Sequence, residues 1–139
     1  MGLLITHAAA TWFMVGLIWM VQVVHYPLFR AVGRDHFVAY EAGHTRRIGS
    51  LLAVPASVEI VTAALLAMTL PEDVSLSLAL VSGALLVLIW VMTGFIQARQ
   101  HGALSEGFDP DLHRRLVSGN WWRTGGWTAR GILAGMMLS

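Results

Sequence analysis

The sequence predicts an all-α fold: an integral membrane four-helix bundle, both termini outside, with an amphipathic interfacial segment between helices 1 and 2. Three observations carry this expectation. The 139 residues are 56% hydrophobic and 12% charged, about half the charged share of an ordinary soluble domain. That apolar excess is too large for one small globule to bury. Four apolar stretches each reach the roughly 20 residues that a spanning helix needs. Within every stretch, polar residues recur at helical spacing.

The chain therefore reads as one transmembrane domain, 1–139, with spans at about 3–28, 48–70, 74–98 and 112–138. The first stretch exceeds a signal peptide's apolar region and lacks a basic start or a small-residue cleavage site. Between the first two spans, Phe37, Val38 and Tyr40 alternate with Arg34, Asp35, His36, Glu41 and His44. That pattern suits an interfacial helix or a helical extension of the second span. Asp109 or Asp111 is the expected N-cap of the fourth helix.

Arginine placement sets the expected orientation. Arg30, Arg34, Arg46 and Arg47 lie in the first connection, and Arg99, Arg114 and Arg115 flank the third. The second connection has only Glu72 and Asp73. The positive-inside bias places the first and third connections in the cytoplasm and both termini outside.

Composition also excludes. With no cysteine, disulfides, thiolate zinc sites and cysteine-ligated clusters are ruled out. With no lysine, Schiff-base chemistry is ruled out as well. A net charge of +1 without a basic tail predicts no nucleic-acid partner. No phosphate-binding loop, dinucleotide fingerprint, serine-hydrolase elbow or zinc-protease motif is present.

The segment NWWRTGGWTARG places Arg123 and Arg130 inside the fourth span. His113, Asn120, Arg123, Trp127 and Arg130 follow one another at steps of 7, 3, 4 and 3. That is a single helix face, so both arginines can turn inward rather than meet lipid. The other spans carry matching lines: Thr11, Ile18, Gln22 and His25; His44, Leu51, Pro55, Glu59 and Thr62; Trp90, Thr93, Gln97 and His101. At about 1.5 Å per residue from His44 and His113, Glu59 lies roughly 22 Å deep and Arg130 roughly 25 Å deep. Glu59 is expected to pair with Arg130, or alternatively with Arg123, because an unpaired buried charge is strongly penalised. Gln22, Asn120, Trp127 and Gln97 are the expected substrate-binding groups on these faces.

His25, His44, His101 and His113 all fall near one membrane face. Imidazoles at one depth suit metal or haem ligation, hydrogen bonding at the interface, or acid–base catalysis. His25, His44 and His113 are the candidate metal ligands, with haem or iron as the cofactor. Glu41 to His44 has the E-x-x-H spacing of di-iron bundles, although only one such motif is present. His7 and His36 read as peripheral. Gly125, Gly126 and the Gly131/Gly135 pair are read as sites of close helix approach.

The fourth-span residues Asn120, Arg123 and Thr124, and Pro27 within HYPLF, give the chain a resemblance to the anthrone-oxygenase-like group of small four-span bacterial membrane proteins. The resemblance implies a four-helix bundle in the bacterial inner membrane. For some members it also implies oxygenation of polycyclic phenolic substrates without an organic cofactor. Glu59, Arg130, His25 and His44 stand outside that group's pattern.

Two functions follow as alternatives. One is a redox or oxygenase-type enzyme acting on a lipophilic small molecule in the bilayer. Its catalytic set would be His25, His44, Glu59, Arg123 and Arg130, with arginine stabilising an oxyanion and histidine moving the proton. The other is a non-enzymatic accessory subunit or transport element, working as a homo-oligomer or within a larger membrane complex.

Overall fold

A computed structural model describes residues 1–139. Four long helices pack along one another, and no strand forms. The first, α1, covers Gly2–Ala31; α2 covers Arg34–Thr69; α3 covers Leu76–Leu104. The fourth, α4, covers Pro110–Met136. By length and composition, α1, α2 and α3 could each cross a membrane. The arginine-bearing stripe lowers the hydropathy of α4, but its cost is met internally. His113, Asn120, Arg123, Trp127 and Arg130 are all buried among the other helices.

No separate interfacial segment exists between α1 and α2. Residues 34–47 are the opening turns of α2, which runs for 36 residues without interruption. Such a helix is about 54 Å long, well over the thickness of about 30 Å of a hydrocarbon core. Only Val32 and Gly33 separate the two helices, and Gly33 makes the reversal at φ 81°, a conformation glycine adopts without strain.

Local chemistry explains the other ends. Asp109 caps α4, its carboxylate accepting from the backbone N–H of Asp111 at 2.8 Å and of Leu112 at 2.9 Å, with Pro110 following in the first turn. Ser75 caps α3 by accepting from Leu78 N–H. The paired glycines differ in use. A Cβ at Gly126 would meet Ile89 at 3.0 Å and one at Gly131 would meet Val15 at 3.0 Å, whereas Gly125 and Gly135 face open space. The close approaches are thus at Gly126 and Gly131, and the expected Gly131/Gly135 pair works through its first member only.

Both α1 and α3 contain one wider, π-helical turn, at Val21–His25 and Thr93–Gln97. Pro27, which has no N–H to donate, follows the first of them closely. Such turns re-aim side chains and recur at functional sites. Here they carry Gln22, His25, Thr93 and Gln97.

Candidate functional site

Three polar assemblies occupy the interior. The first joins α2 to α4. Arg130 donates through Nη2 to Glu59 Oε1 at 2.9 Å and through Nε at 3.3 Å, and both side chains are 0% exposed. Its Nη1 donates to the Ser82 carbonyl and, at 3.1 Å, to Ser82 Oγ. His7 Nε2 lies 3.5 Å from Nη2 and accepts the remaining donor. All five guanidinium N–H groups therefore have acceptors. Thr11 donates to the same Glu59 oxygen at 2.8 Å. With Nε2 accepting, His7 Nδ1–H donates to Thr62 Oγ1 across 2.9 Å, and Thr62 donates onward to the Val58 carbonyl. His7 is thus 2% exposed and central rather than peripheral. Its position near the start of the sequence concealed this; only its place one turn before Thr11 on the same face signalled it.

The second assembly lies toward the other end of the helices. Glu41, from α2, is 0% exposed, and its Oε1 accepts from His101 Nδ1–H of α3 at 2.5 Å. His101 Nε2 then accepts from the Tyr26 hydroxyl of α1 at 2.8 Å. The carboxylate thereby fixes both the tautomer and the ring direction of His101. His25 Nε2 and His44 Nδ1 share a hydrogen bond of 2.7 Å beside them. His113 turns elsewhere. It donates through Nε2 to the Tyr26 carbonyl at 2.8 Å and stacks on Phe29. The candidate ligands His25, His44 and His113 accordingly do not converge, and no group of three His, Asp or Glu side chains takes up metal-holding geometry. His25 and His44 spend a nitrogen each on the other, and His113 spends one on backbone.

The third assembly runs along α4. Asn120 donates to Gln22 Oε1 at 2.8 Å, and Gln22 donates to the Val117 carbonyl at 3.1 Å. Asn120 Oδ1 accepts from Arg123 Nη1 at 2.8 Å. Gln22 and Asn120 are therefore engaged with each other and with the helix backbone. Asn120 positions Arg123, whose guanidinium lies beside the Tyr26 phenol.

Between these assemblies the four helices leave a cavity of about 410 Å³. Its apolar wall includes Met14, Ile18, Leu52 and Trp127; its polar wall is Tyr26, His44, Gln97, His101 and Arg123. Trp127 also lies against Arg130, with the guanidinium 5.8 Å from its ring centre, so one indole borders both the cavity and the first assembly. Gln97 is 2% exposed, and neither its amide oxygen nor its amide nitrogen has a partner; Arg123 Nε has none either. Buried polar groups are normally paired, so two donors and an acceptor waiting beside a cavity mark a place for a ligand.

The expected catalytic residues thus divide. His44 and Arg123 line the cavity, as do Trp127 and Gln97 from the expected binding set. His25 sits behind His44 and lines a smaller adjoining cavity of about 240 Å³ with Tyr40 and Arg47. Glu59 and Arg130 reach neither cavity. Sequence reasoning missed Tyr26; it placed His101 in the ring of histidines and Glu41 in the E-x-x-H spacing, but did not join the two. The E-x-x-H spacing placed Glu41 on the face of His44, and that was the available signal. Compared with protein-family models, curated proteins and solved structures, the chain matches none.

Proposed function

We propose that this chain is a four-span bundle of the bacterial inner membrane, both termini outside, whose cavity binds a lipophilic small molecule through an acidic or enolisable oxygen. The observation that carries this reading is the unpartnered, buried Gln97 amide and Arg123 Nε at a largely apolar cavity. An apolar body satisfies Met14, Ile18, Leu52 and Trp127, and one oxygen function satisfies Gln97 and Arg123. The fourth span is carried by the inward stripe of α4, which keeps its arginines from lipid.

The chemistry this supports is removal of a proton from the bound molecule. Arg123 holds the resulting enolate or phenolate oxygen, a charge that develops only during the reaction. The resemblance at Asn120, Arg123 and Thr124 extends the reading to an oxygenase-type enzyme with dioxygen as the oxidant. There a CH₂ carbon becomes a carbonyl: one oxygen atom enters the new C=O and the other leaves as water with the two hydrogens.

Solvent extraction of the detergent-purified protein, followed by mass spectrometry, tests the reading. A phenolic or ketonic lipophile present in wild-type protein and depleted in Gln97→Leu is the expected result. Protein that carries no such molecule but purifies with a larger membrane partner would favour the accessory-subunit alternative.

A further inference from the structure

We propose that Tyr26 is the catalytic acid–base residue of this cavity, with His101 and Glu41 as the residues that position and drive it. The inference rests on the cavity reading above and adds to it the group that moves the proton.

Three elements converge to build the relay. Tyr26 comes from α1, Glu41 from α2 and His101 from α3, and their polar atoms form one chain at 2.5 and 2.8 Å. A wholly buried carboxylate costs several kcal/mol unless it is paired. Glu41 has one histidine as its partner, and its second oxygen has none. A carboxylate serving packing alone would be better replaced by an apolar side chain. A carboxylate that must receive positive charge on His101 has a reason to be there. Tyr26 is itself held firmly: its carbonyl takes the His113 hydrogen bond, and its ring packs against Phe29, His44 and His101. Glu41 and His44 face this group from α2, His101 from α3, and Arg123 and His113 from α4; His25 adjoins it in α1.

The step balances without an oxidant. A C–H bond next to the ligand's carbonyl breaks, and its proton passes to the Tyr26 oxygen as the Tyr26 proton passes to His101 Nε2. The electron pair of the C–H bond becomes the enolate, whose oxygen faces Arg123. His101 becomes an imidazolium against Glu41. Reprotonation runs the same path backward; when a relay proton on Tyr26 or on the partly exposed His101 trades with water before that return, the ligand's α hydrogens exchange with solvent.

The probe is 2-tetralone, a bicyclic ketone with acidic α hydrogens. Its deuterium uptake in D₂O is followed by NMR with the purified protein in detergent, and its binding by equilibrium dialysis. Wild-type protein is expected to bind and accelerate exchange. Tyr26→Phe, which removes one hydroxyl, is expected to lower kcat about 100-fold with KM unchanged within about twofold, in the range of general acid–base contributions. Glu41→Gln is expected to lower kcat about tenfold, again without moving KM. A role confined to folding would not produce that split. His36→Ala, at an exposed residue outside the cavity, is expected to retain exchange. Tyr26→Phe exchanging at the wild-type rate overturns the assignment, as does His36→Ala lowering exchange as far as Tyr26→Phe does. Wild-type protein that binds 2-tetralone without exchanging it also overturns the assignment and leaves the cavity reading standing. Protein that does not bind it overturns the cavity reading, and the assignment with it.

Discussion

Glu59 and Arg130, 71 residues apart in sequence, form a wholly buried ion pair in which one carboxylate oxygen accepts two guanidinium N–H groups. Removing one partner leaves the other charged and unmatched. Glu59→Gln is therefore expected to cost about 3–5 kcal/mol, measured by denaturation in detergent. Arg130→Gln should also be costly, and the double variant should lose less than the sum of the two. Additive losses would mean that the side chains do not meet.

The pair was legible in the sequence because both residues sit on regular helices. A rise of about 1.5 Å per residue placed them at similar depth, and steps of three, four and seven placed Thr11, Gln22, Asn120, Arg123 and Trp127 on inward faces. The relay was not legible. Tyr26 is one residue from His25, about 100° around a regular helix, and a π-helical turn precedes it. That turn breaks the periodicity from which the first span's inward line was drawn. Glu41 lay in a stretch read as an interfacial helix or an extension of the second span, and no spacing rule joins it to His101, 60 residues away. His7 was hidden by its position near the chain start, where burial is not expected.

Two neighbouring glycines should respond oppositely to the same change. Gly125→Ala adds a methyl group in open space and should stabilise α4 by about 0.5–1 kcal/mol through helix propensity. Gly126→Ala drives a methyl group against Ile89, which is 2% exposed and packed in the core. It should be neutral or destabilising, by up to about 3 kcal/mol. Melting curves of the two variants check this, and a stabilised Gly126→Ala would contradict the packing of α3 on α4.

Asp109 gives the cap of α4 a pH dependence. The backbone N–H groups of Leu112 and Asp111 hold its carboxyl below the ordinary carboxylate range. A depressed folded-state pKa means that the stabilisation is present above the unfolded value, about 3.9. It is lost as pH falls through the folded value. The melting temperature of Asp109→Ala should accordingly lie below wild type by a constant gap near neutral pH. The gap should close in acid. A gap that widens on acidification would show that the carboxylate does not serve as the cap.

Arg123→Lys separates binding from architecture. Charge is kept, and the planar fork that reaches Asn120 and carries the unpartnered Nε is lost. Affinity for a phenolic or ketonic probe should fall roughly tenfold, about 1.4 kcal/mol, with the melting temperature nearly unchanged. An unfolded Arg123→Lys would make the arginine a structural element of α4 instead.

The central claim is that the cavity beside Gln97 and Arg123 holds a lipophilic molecule, and native mass spectrometry of the detergent-purified protein tests it most directly. Thr45 lines the cavity, and Thr45→Trp fills it; His36 is exposed and lies outside it. Wild type and His36→Ala should each retain one small-molecule adduct, carried from the membrane or taken up as 2-tetralone, and Thr45→Trp should retain none. Equal retention by all three proteins, or retention by none, would contradict the account.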